Sequence, residues 1–325
     1  MHPLIRDIKK SLNSEFDQYK ENFSLIMKSN IALVDNIAKY IIRHKGKGLR
    51  PLLVILSSKL AGNPNNNTYI VASLIEILHT ATLVHDDVVD NSNIRRNFPA
   101  INAIWKNKIS VLMGDYLLAK SLISATRTGS MEIMNLLAET SKRLSQGELF
   151  QIEKSRKLDI TEEEYFRLIS DKTAALISAC TELGAITVNT SEEKQTALKL
   201  YGENLGIAFQ IKDDILDYEG KQKILGKPVG ADIKEKKITL PLILALNKAQ
   251  AKDKKKIIRI LKRGASGKDI HRIIMFSSEN EGLSSAKEAM ESYANKAKKN
   301  LDIFPDSANK ENAFKFVDYV IGRNK

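Results

Sequence analysis

A chain of 325 residues with a formal charge of +12, one cysteine and seven prolines is long enough to bury one large helical core or two smaller ones. Cys180 alone excludes an intramolecular disulfide and argues against a cysteine-based zinc site, which leaves it as a small buried apolar side chain. Leu, Ile, Ala, Lys and Glu dominate and alternating β-branched or aromatic runs are scarce, so the composition predicts an all-α chain without a convincing strand.

From residue 4 to 44 apolar residues recur at helical spacing, and Lys45-Gly46-Lys47-Gly48 interrupts them. Pro51 suits the first turn of the next helix. Asn63 to Asn67 reads as a turn, and Thr68 is the expected cap of a helix running into Asp90. Asn91 to Pro99 is a polar loop. Helical patterns follow at about 101 to 127, 130 to 153, 161 to 189 and 192 to 218. A basic, glycine-containing loop covers Gly220 to Lys237, and Pro241 opens another helix. No stretch rich in Pro, Gly or Ser marks a boundary, so residues 1 to 325 read as one helical domain, an antiparallel bundle joined by short turns.

Most of the positive excess lies beyond Lys248. Lys252, Lys254, Lys255, Lys256, Lys262 and Arg263 surround Ile257, Ile258, Ile260 and Leu261, the pattern of an amphipathic helix with a solvated face. A weak attraction to an anionic membrane surface is the other reading of this segment. Nucleic acid is not expected as a partner, because no aromatic residues interleave with the basic run. Met1-His2-Pro3 leads directly into a charged amphipathic pattern, and stretches such as Ile238 to Leu246 fall short of the roughly 20 residues that span a bilayer. A cytoplasmic protein is expected.

Two acidic clusters carry the chemistry. Asp86-Asp87-Val88-Val89-Asp90 and Asp213-Asp214-Ile215-Leu216-Asp217 share the spacing DDxxD, and each ends a long apolar helical run. Residues four apart lie on one helix face, so Asp86 pairs with Asp90 and Asp213 with Asp217 as oxygen ligands. A helix C-terminus is electrostatically poor ground for three carboxylates, and a divalent cation removes the conflict. Hard oxygens suit magnesium, which completes its shell with water and substrate phosphate. Cations flank both clusters: Lys47 and Arg50 in the first glycine-containing loop, Arg95 and Arg96 after the first cluster, Lys227 and Lys237 after the second. Two acidic walls across a helical bundle would grip a polyphosphate, and this set of cations could hold two diphosphates.

The stretch from His79 to Asp90, with Arg95-Arg96, resembles the first aspartate-rich region of trans-isoprenyl diphosphate synthases. Gly114-Asp115-Tyr116, Gly147-Glu148, Lys172-Thr173-Ala174, Gln210-Ile211-Lys212-Asp213-Asp214 and Gly226 to Asp232 are similar to that family in its order, over roughly residues 30 to 245. The resemblance implies an all-helical isoprenoid-synthase bundle around a central cavity and a magnesium-dependent prenyltransferase working as a homodimer. An allylic diphosphate would ionise, isopentenyl diphosphate would attack the cation, and a proton would leave. By the same resemblance Asp86 and Asp90 would hold two magnesium ions and Asp213 a third, with Asp87, Asp214 and Asp217 supporting. Lys47, Arg50, His79 and Arg96 would bind isopentenyl diphosphate. Arg95, Lys172, Lys227 and Lys237 would bind the allylic diphosphate, and Thr173 and Gln210 would line the cation.

The chain departs from the family pattern at Lys45 and Gly48, which replace a glycine and an arginine of the first basic block, and at Asn97 and Ala100 after Arg96. Below the first cluster, Thr82 lies one turn before Asp86 and Ala81 one residue deeper. Short-chain members of the family often carry an aromatic residue there. Ala81 and Thr82 therefore suggest an open tunnel and a medium or long all-trans product, with a farnesyl- or geranylgeranyl-length product as the alternative. A class I terpene cyclase would show a different second metal motif and no isopentenyl diphosphate site. A non-catalytic subunit of a heteromeric synthase would have lost some of the six aspartates, all of which are present.

Overall fold

The computed structural model describes residues 2–44, 46–219 and 229–323. In chain order the helices are α1 Pro3–Ser11, α2 Asn13–Met27, α3 Ala32–Arg43, α4 Leu49–Ala61, α5 Asn66–Val89, α6 Ile101–Thr126, α7 Met131–Lys157, α8 Glu162–Ile169, α9 Ala175–Ile186, α10 Glu192–Glu219, α11 Ala231–Lys234, α12 Leu240–Lys248, α13 Ala251–Arg263, α14 Gly267–Glu279, α15 Gly282–Lys299 and α16 Ala308–Gly322. A single π-helical turn, Ser170–Ala174, joins α8 to α9. Within the expected loop after α5, β1 (Ile94–Arg95) and β2 (Phe98–Pro99) form a two-stranded antiparallel hairpin, the one sheet among the described residues. The chain is all-α, as its composition requires.

Two compact units divide the chain. One holds Met1–Ser141, Leu176–Gly202 and Leu301–Phe316. Its axis is α5, buried through Val71, Leu74, Ile75, Ile77, Leu78, Ala81 and Val84 and packed by α6, α4 and α2. The start of α5 corrects the expected cap. Asn65, rather than Thr68, is the N-cap: its side chain accepts from the backbone N–H of Asn67 and Thr68, and Thr68 answers by accepting from the Asn65 N–H. Thr68 is thus the third helical residue in a reciprocal capping box.

Both α5 and α6 are long and apolar enough to cross a membrane by length and composition, which stretches of consecutive apolar residues do not reveal. The most apolar window of α5 is 67% buried, as a core helix should be, whereas that of α6 is only 39% buried. Ile104, Val111, Leu112, Leu122 and Ile123 of α6 remain exposed.

The other unit comprises Lys142–Ala175, Glu203–Asn300 and Val317–Lys325. Its most buried helix is α12, where Leu240, Leu242, Ile243, Ala245 and Leu246 are enclosed by α15, α14 and α8. Pro241 sits in the first turn of α12, where it lacks only an N–H that the helix leaves unpaired anyway. Gly282 lets α15 press against α12, since a Cβ there would lie 2.0 Å from the Pro241 carbonyl oxygen.

Helix α6 is broken at Lys106, whose backbone adopts φ 70°, ψ 162°. Only glycine enters this region freely, so a lysine there stores strain of about 1–3 kcal/mol. Lys106→Gly should raise unfolding stability by about 1 kcal/mol, read as a higher urea midpoint at unchanged m-value.

Candidate active site

In the first unit a pocket is lined by His79, Glu76, Asp87, Arg95, Arg96 and Gly46 on its polar side, and by Phe23, Tyr40, Leu83, Val84 and Phe98 among its apolar residues. Local backbone explains how Arg96 comes to line the pocket and how Arg50 comes near enough to act on His79. Gly48 is the N-cap of α4 at φ 61°, ψ 44°, a left-handed conformation that an arginine would occupy at a cost. It turns the chain so that Arg50 falls in the first turn of α4. The hairpin turn needs two further positive φ values, 53° at Arg96 and 67° at Asn97, the signature of a type I′ turn. Asparagine tolerates this backbone, so Asn97 keeps the turn without the family's glycine. A Cβ on Gly46 would lie 2.7 Å from the Arg96 guanidinium, so the absent side chain is what lets Arg96 lie against the loop.

Burial sets the electrostatics of the pocket. Glu76, 7% exposed, is the carboxylate that supports the charges of Arg50 and Arg96, whose guanidinium pKa values burial pulls down. Arg50 Nε is buried without a hydrogen-bond partner, a donor suited to a phosphate oxygen. His79, 8% exposed, is held well below its usual pKa of 6.5 by burial and by Arg50, Arg96 and Arg95. Its imidazole is neutral at pH 7. Lys47 is exposed, and its carbonyl accepts from Lys9 Nζ at 2.5 Å.

The six aspartates divide in a consistent way. In the first cluster Asp87 is buried and receives Arg95 Nε at 2.8 and 2.9 Å, while Asp86 is half-buried and Asp90 exposed. In the second unit Asp214 is 2% exposed and takes hydrogen bonds from Tyr165 Oη at 2.5 Å and Gln210 Nε2 at 2.9 Å. Burial and the nearby Asp232 raise its carboxyl pKa well above the ordinary range. Asp217 does not form an outward prong with Asp213. Its two oxygens accept the Ala231 and Asp232 backbone N–H groups at 3.1 and 3.2 Å, so it anchors the start of α11. Asp213, with 43% of its side chain exposed, is paired with Arg323 at 2.9 Å. Asp86, Asp90 and Asp213, the three assigned to metal from the sequence, are the least buried of the six.

The π turn gathers the remaining residues. Gly147 of α7 and Gly206 of α10 press directly on it, where added Cβ atoms would lie 2.8 Å from the Lys172 nitrogen and 2.5 Å from the Ala174 Cα. Thr173 Oγ1 donates to Gln210 Oε1 at 2.8 Å, so a chain of hydrogen bonds runs from Thr173 through Gln210 to Asp214 and Tyr165. Lys172 is ion-paired with Glu148 and donates to Gln151 at 3.0 Å. Lys237 donates to Glu235 at 2.7 Å. Lys227 lies outside the described residues. Thr82 donates its hydroxyl to the His79 carbonyl at 2.9 Å, and Ala81 is 2% exposed.

A profile of the polyprenyl synthetase family matches residues 31–275. The chain belongs to the polyprenyl synthetase family. This polyprenyl synthetase is 31% identical over 320 residues to octaprenyl diphosphate synthase of Haemophilus influenzae, covering 98% of this chain and 97% of that one. It is 35% identical over 291 residues to short chain isoprenyl diphosphate synthase of Methanothermobacter thermautotrophicus, covering 88% and 89%. The crystal structure of polyprenyl synthase from Caulobacter crescentus, complexed with calcium and isoprenyl diphosphate, superposes with a TM-score of 0.92 at 34% identity over 99% of this chain and 98% of that one. The fold is that of the isoprenoid synthases and the enzyme is a trans-prenyltransferase.

Sequence reading missed four residues of this synthetase that its geometry brings in: Glu76, Arg143, Tyr165 and Arg323. Arg143 donates Nε to Asp171 at 2.8 Å and Nη2 to Ser170 at 2.8 Å and Glu203 at 3.3 Å, fixing the first two residues of the π turn. A signal for it existed, because Arg143 lies one helical turn before the Gly147-Glu148 motif.

Acid should expose the buried His79. The unfolded chain takes up a proton below about pH 6.5 while the folded imidazole stays neutral, so stability present above that pH is lost as pH falls. His79→Gln should flatten the fall in Tm between about pH 6.5 and 5, measured by circular dichroism. Parallel pH profiles for the two proteins would contradict the assignment.

Proposed function

We propose that this prenyltransferase condenses isopentenyl diphosphate head-to-tail with an allylic diphosphate to make a medium- or long-chain all-trans polyprenyl diphosphate. The division of the six aspartates carries the reading. Asp86, Asp90 and Asp213 are the metal ligands, and Asp87, Asp214 and Asp217 hold them in place through Arg95, through Tyr165 with Gln210, and through the start of α11. Magnesium is commonly held by one or two carboxylates and completed by substrate phosphate, a demand that the outer Asp86, Asp90 and Asp213 would meet. Three ions per site, as the family resemblance implies, match this set. Magnesium bound there supplies Lewis-acid charge to the departing diphosphate.

The chain's own groups do the rest. Lys47, Arg50, His79 and Arg96 bind isopentenyl diphosphate, a role supported by the unpaired Arg50 Nε and by the neutral His79, which can donate one ring N–H. Arg95, Lys172, Lys227 and Lys237 hold the allylic diphosphate. Thr173 and Gln210 present oxygen dipoles to the carbocation, preorganised by the chain of hydrogen bonds to Asp214. Apolar walls exclude water from it. Ala81 and Thr82 are small side chains where the family resemblance would run the growing tail, and a short-chain and an octaprenyl synthase are similarly close relatives, so these positions bear the assignment of product length.

Homodimerisation is supported by the exposed stripe Ile104, Val111, Leu112, Leu122 and Ile123 along α6, an apolar face of the kind that subunit interfaces cover. The basic face of α13 supports transient contact with an anionic membrane when product leaves, and a cytoplasmic location fits water-soluble diphosphate substrates.

Purified enzyme given labelled isopentenyl diphosphate and farnesyl or geranylgeranyl primers should yield products longer than geranylgeranyl diphosphate. Asp86→Ala and Asp213→Ala should each lower kcat by about a hundredfold or more with unchanged circular dichroism. Ala81→Phe should shorten the product, and an unchanged length distribution in that variant would remove Ala81 from the tunnel.

A further inference from the structure

Arg323 directly follows α16, the last helix among the described residues, more than a hundred residues beyond Asp213, and several groups hold its guanidinium. Nη2 bonds both to Asp213 Oδ1 at 2.9 Å and to the Phe209 carbonyl at 2.8 Å. Nε donates to the Val320 carbonyl at 3.3 Å, and the group stacks on the Phe209 ring at 3.7 Å. Only 7% of the side chain is exposed. Two carbonyls and a ring face hold this cation without any help from Asp213, so the charge stays in place whatever Asp213 binds. By contrast Asp213 keeps 43% of its side chain open.

We infer that Arg323 is a built-in counter-ion on Asp213 that holds back metal binding at this carboxylate until a diphosphate brings compensating negative charge. This rests on the proposed role of Asp213 as a metal ligand. A divalent ion arriving alone must approach a carboxylate whose charge an immobile guanidinium already balances, and it meets that cation's repulsion within a few ångströms. A pyrophosphate group adds negative charge that both cations share, so the penalty shrinks when metal and diphosphate arrive together. Coupling of this kind is reciprocal: diphosphate should tighten metal binding by the same factor as metal tightens diphosphate. Arg323 thereby acts as a positioning residue that ties metal occupancy at Asp213 to the presence of substrate.

The test is Mn2+ binding to the full chain, followed by the electron paramagnetic resonance signal of free Mn2+, with and without inorganic pyrophosphate. Arg323→Met and Arg323→Gln remove the charge, the second keeping a polar group for the two carbonyls in case the first unfolds. Without pyrophosphate each should bind Mn2+ about tenfold more tightly than wild type. With saturating pyrophosphate the difference should fall below about twofold. Arg323→Lys, which keeps the charge, should stay close to wild type under both conditions. Equal or weaker Mn2+ binding by the neutral variants in the absence of pyrophosphate overturns the inference. Asp213→Asn separates the two claims. If it abolishes a Mn2+ site while the Arg323 variants bind as wild type does, only the counter-ion role fails; if it leaves Mn2+ binding untouched, the ligand assignment fails and the counter-ion role with it.

Discussion

Mutual repulsion among carboxylates crowded at helix ends is the constraint from which the rest of the site follows. Three aspartates within five residues, at the end of a helix whose dipole already points negative, cannot all stay charged and unsupported. The protein meets this at both clusters by separating roles. One or two members are buried and tied down by a guanidinium, a phenol and an amide, or a pair of backbone N–H groups, and the outer members face solvent. Burying these carboxyl groups is costly, and their partners make it tolerable. In return they fix the helix ends that carry the outer ones.

Unusual backbone also shapes the segments that carry the cations and Thr173, the partner of Gln210. Arg96 and Asn97 hold left-handed conformations in the hairpin turn, Gly48 another before α4, and a π turn carries Lys172 and Thr173. The left-handed Arg96 and the π turn are costly for an ordinary chain, Gly48 takes its conformation freely, and each sets the path of a particular side chain. The glycines that flank them do a complementary job. Gly46 admits the Arg96 guanidinium, while Gly147 and Gly206 allow two helices to press on the π turn from which Thr173 reaches Gln210.

Much of this was legible in the sequence because helical periodicity and the DDxxD spacing are local. The helices around 66–89, 101–126 and 192–219 lie where the apolar patterns put them, and Pro241 sits in the first turn of α12. What the sequence hid was three-dimensional. Thr68 looked like a cap because it precedes the apolar run, but the backbone turns three residues earlier, at Asn65. The hairpin within 91 to 99 is too short for a strand pattern, and its turn is set by φ rather than by apolar alternation. The expected run from 161 to 189 gave no sign of the π turn, since one extra residue in a helical turn leaves composition unchanged. Asp213 and Asp217 are four apart, yet Asp217 spends its oxygens on a segment fourteen residues on, and Arg323 reaches Asp213 from the far end of the chain. No spacing rule links such pairs.

A crystal of the enzyme grown with Mg2+ and a non-ionisable thiolo analogue of an allylic diphosphate tests the account most directly. Anomalous or distance-based identification of the ions should find magnesium bound to Asp86, Asp90 and Asp213, with metal-to-oxygen distances near 2.1 Å, and find Asp87, Asp214 and Asp217 still on Arg95, Tyr165 and the start of α11. Metal bound through the buried aspartates instead, or diphosphate bound with no ion at Asp86, Asp90 or Asp213, would contradict it.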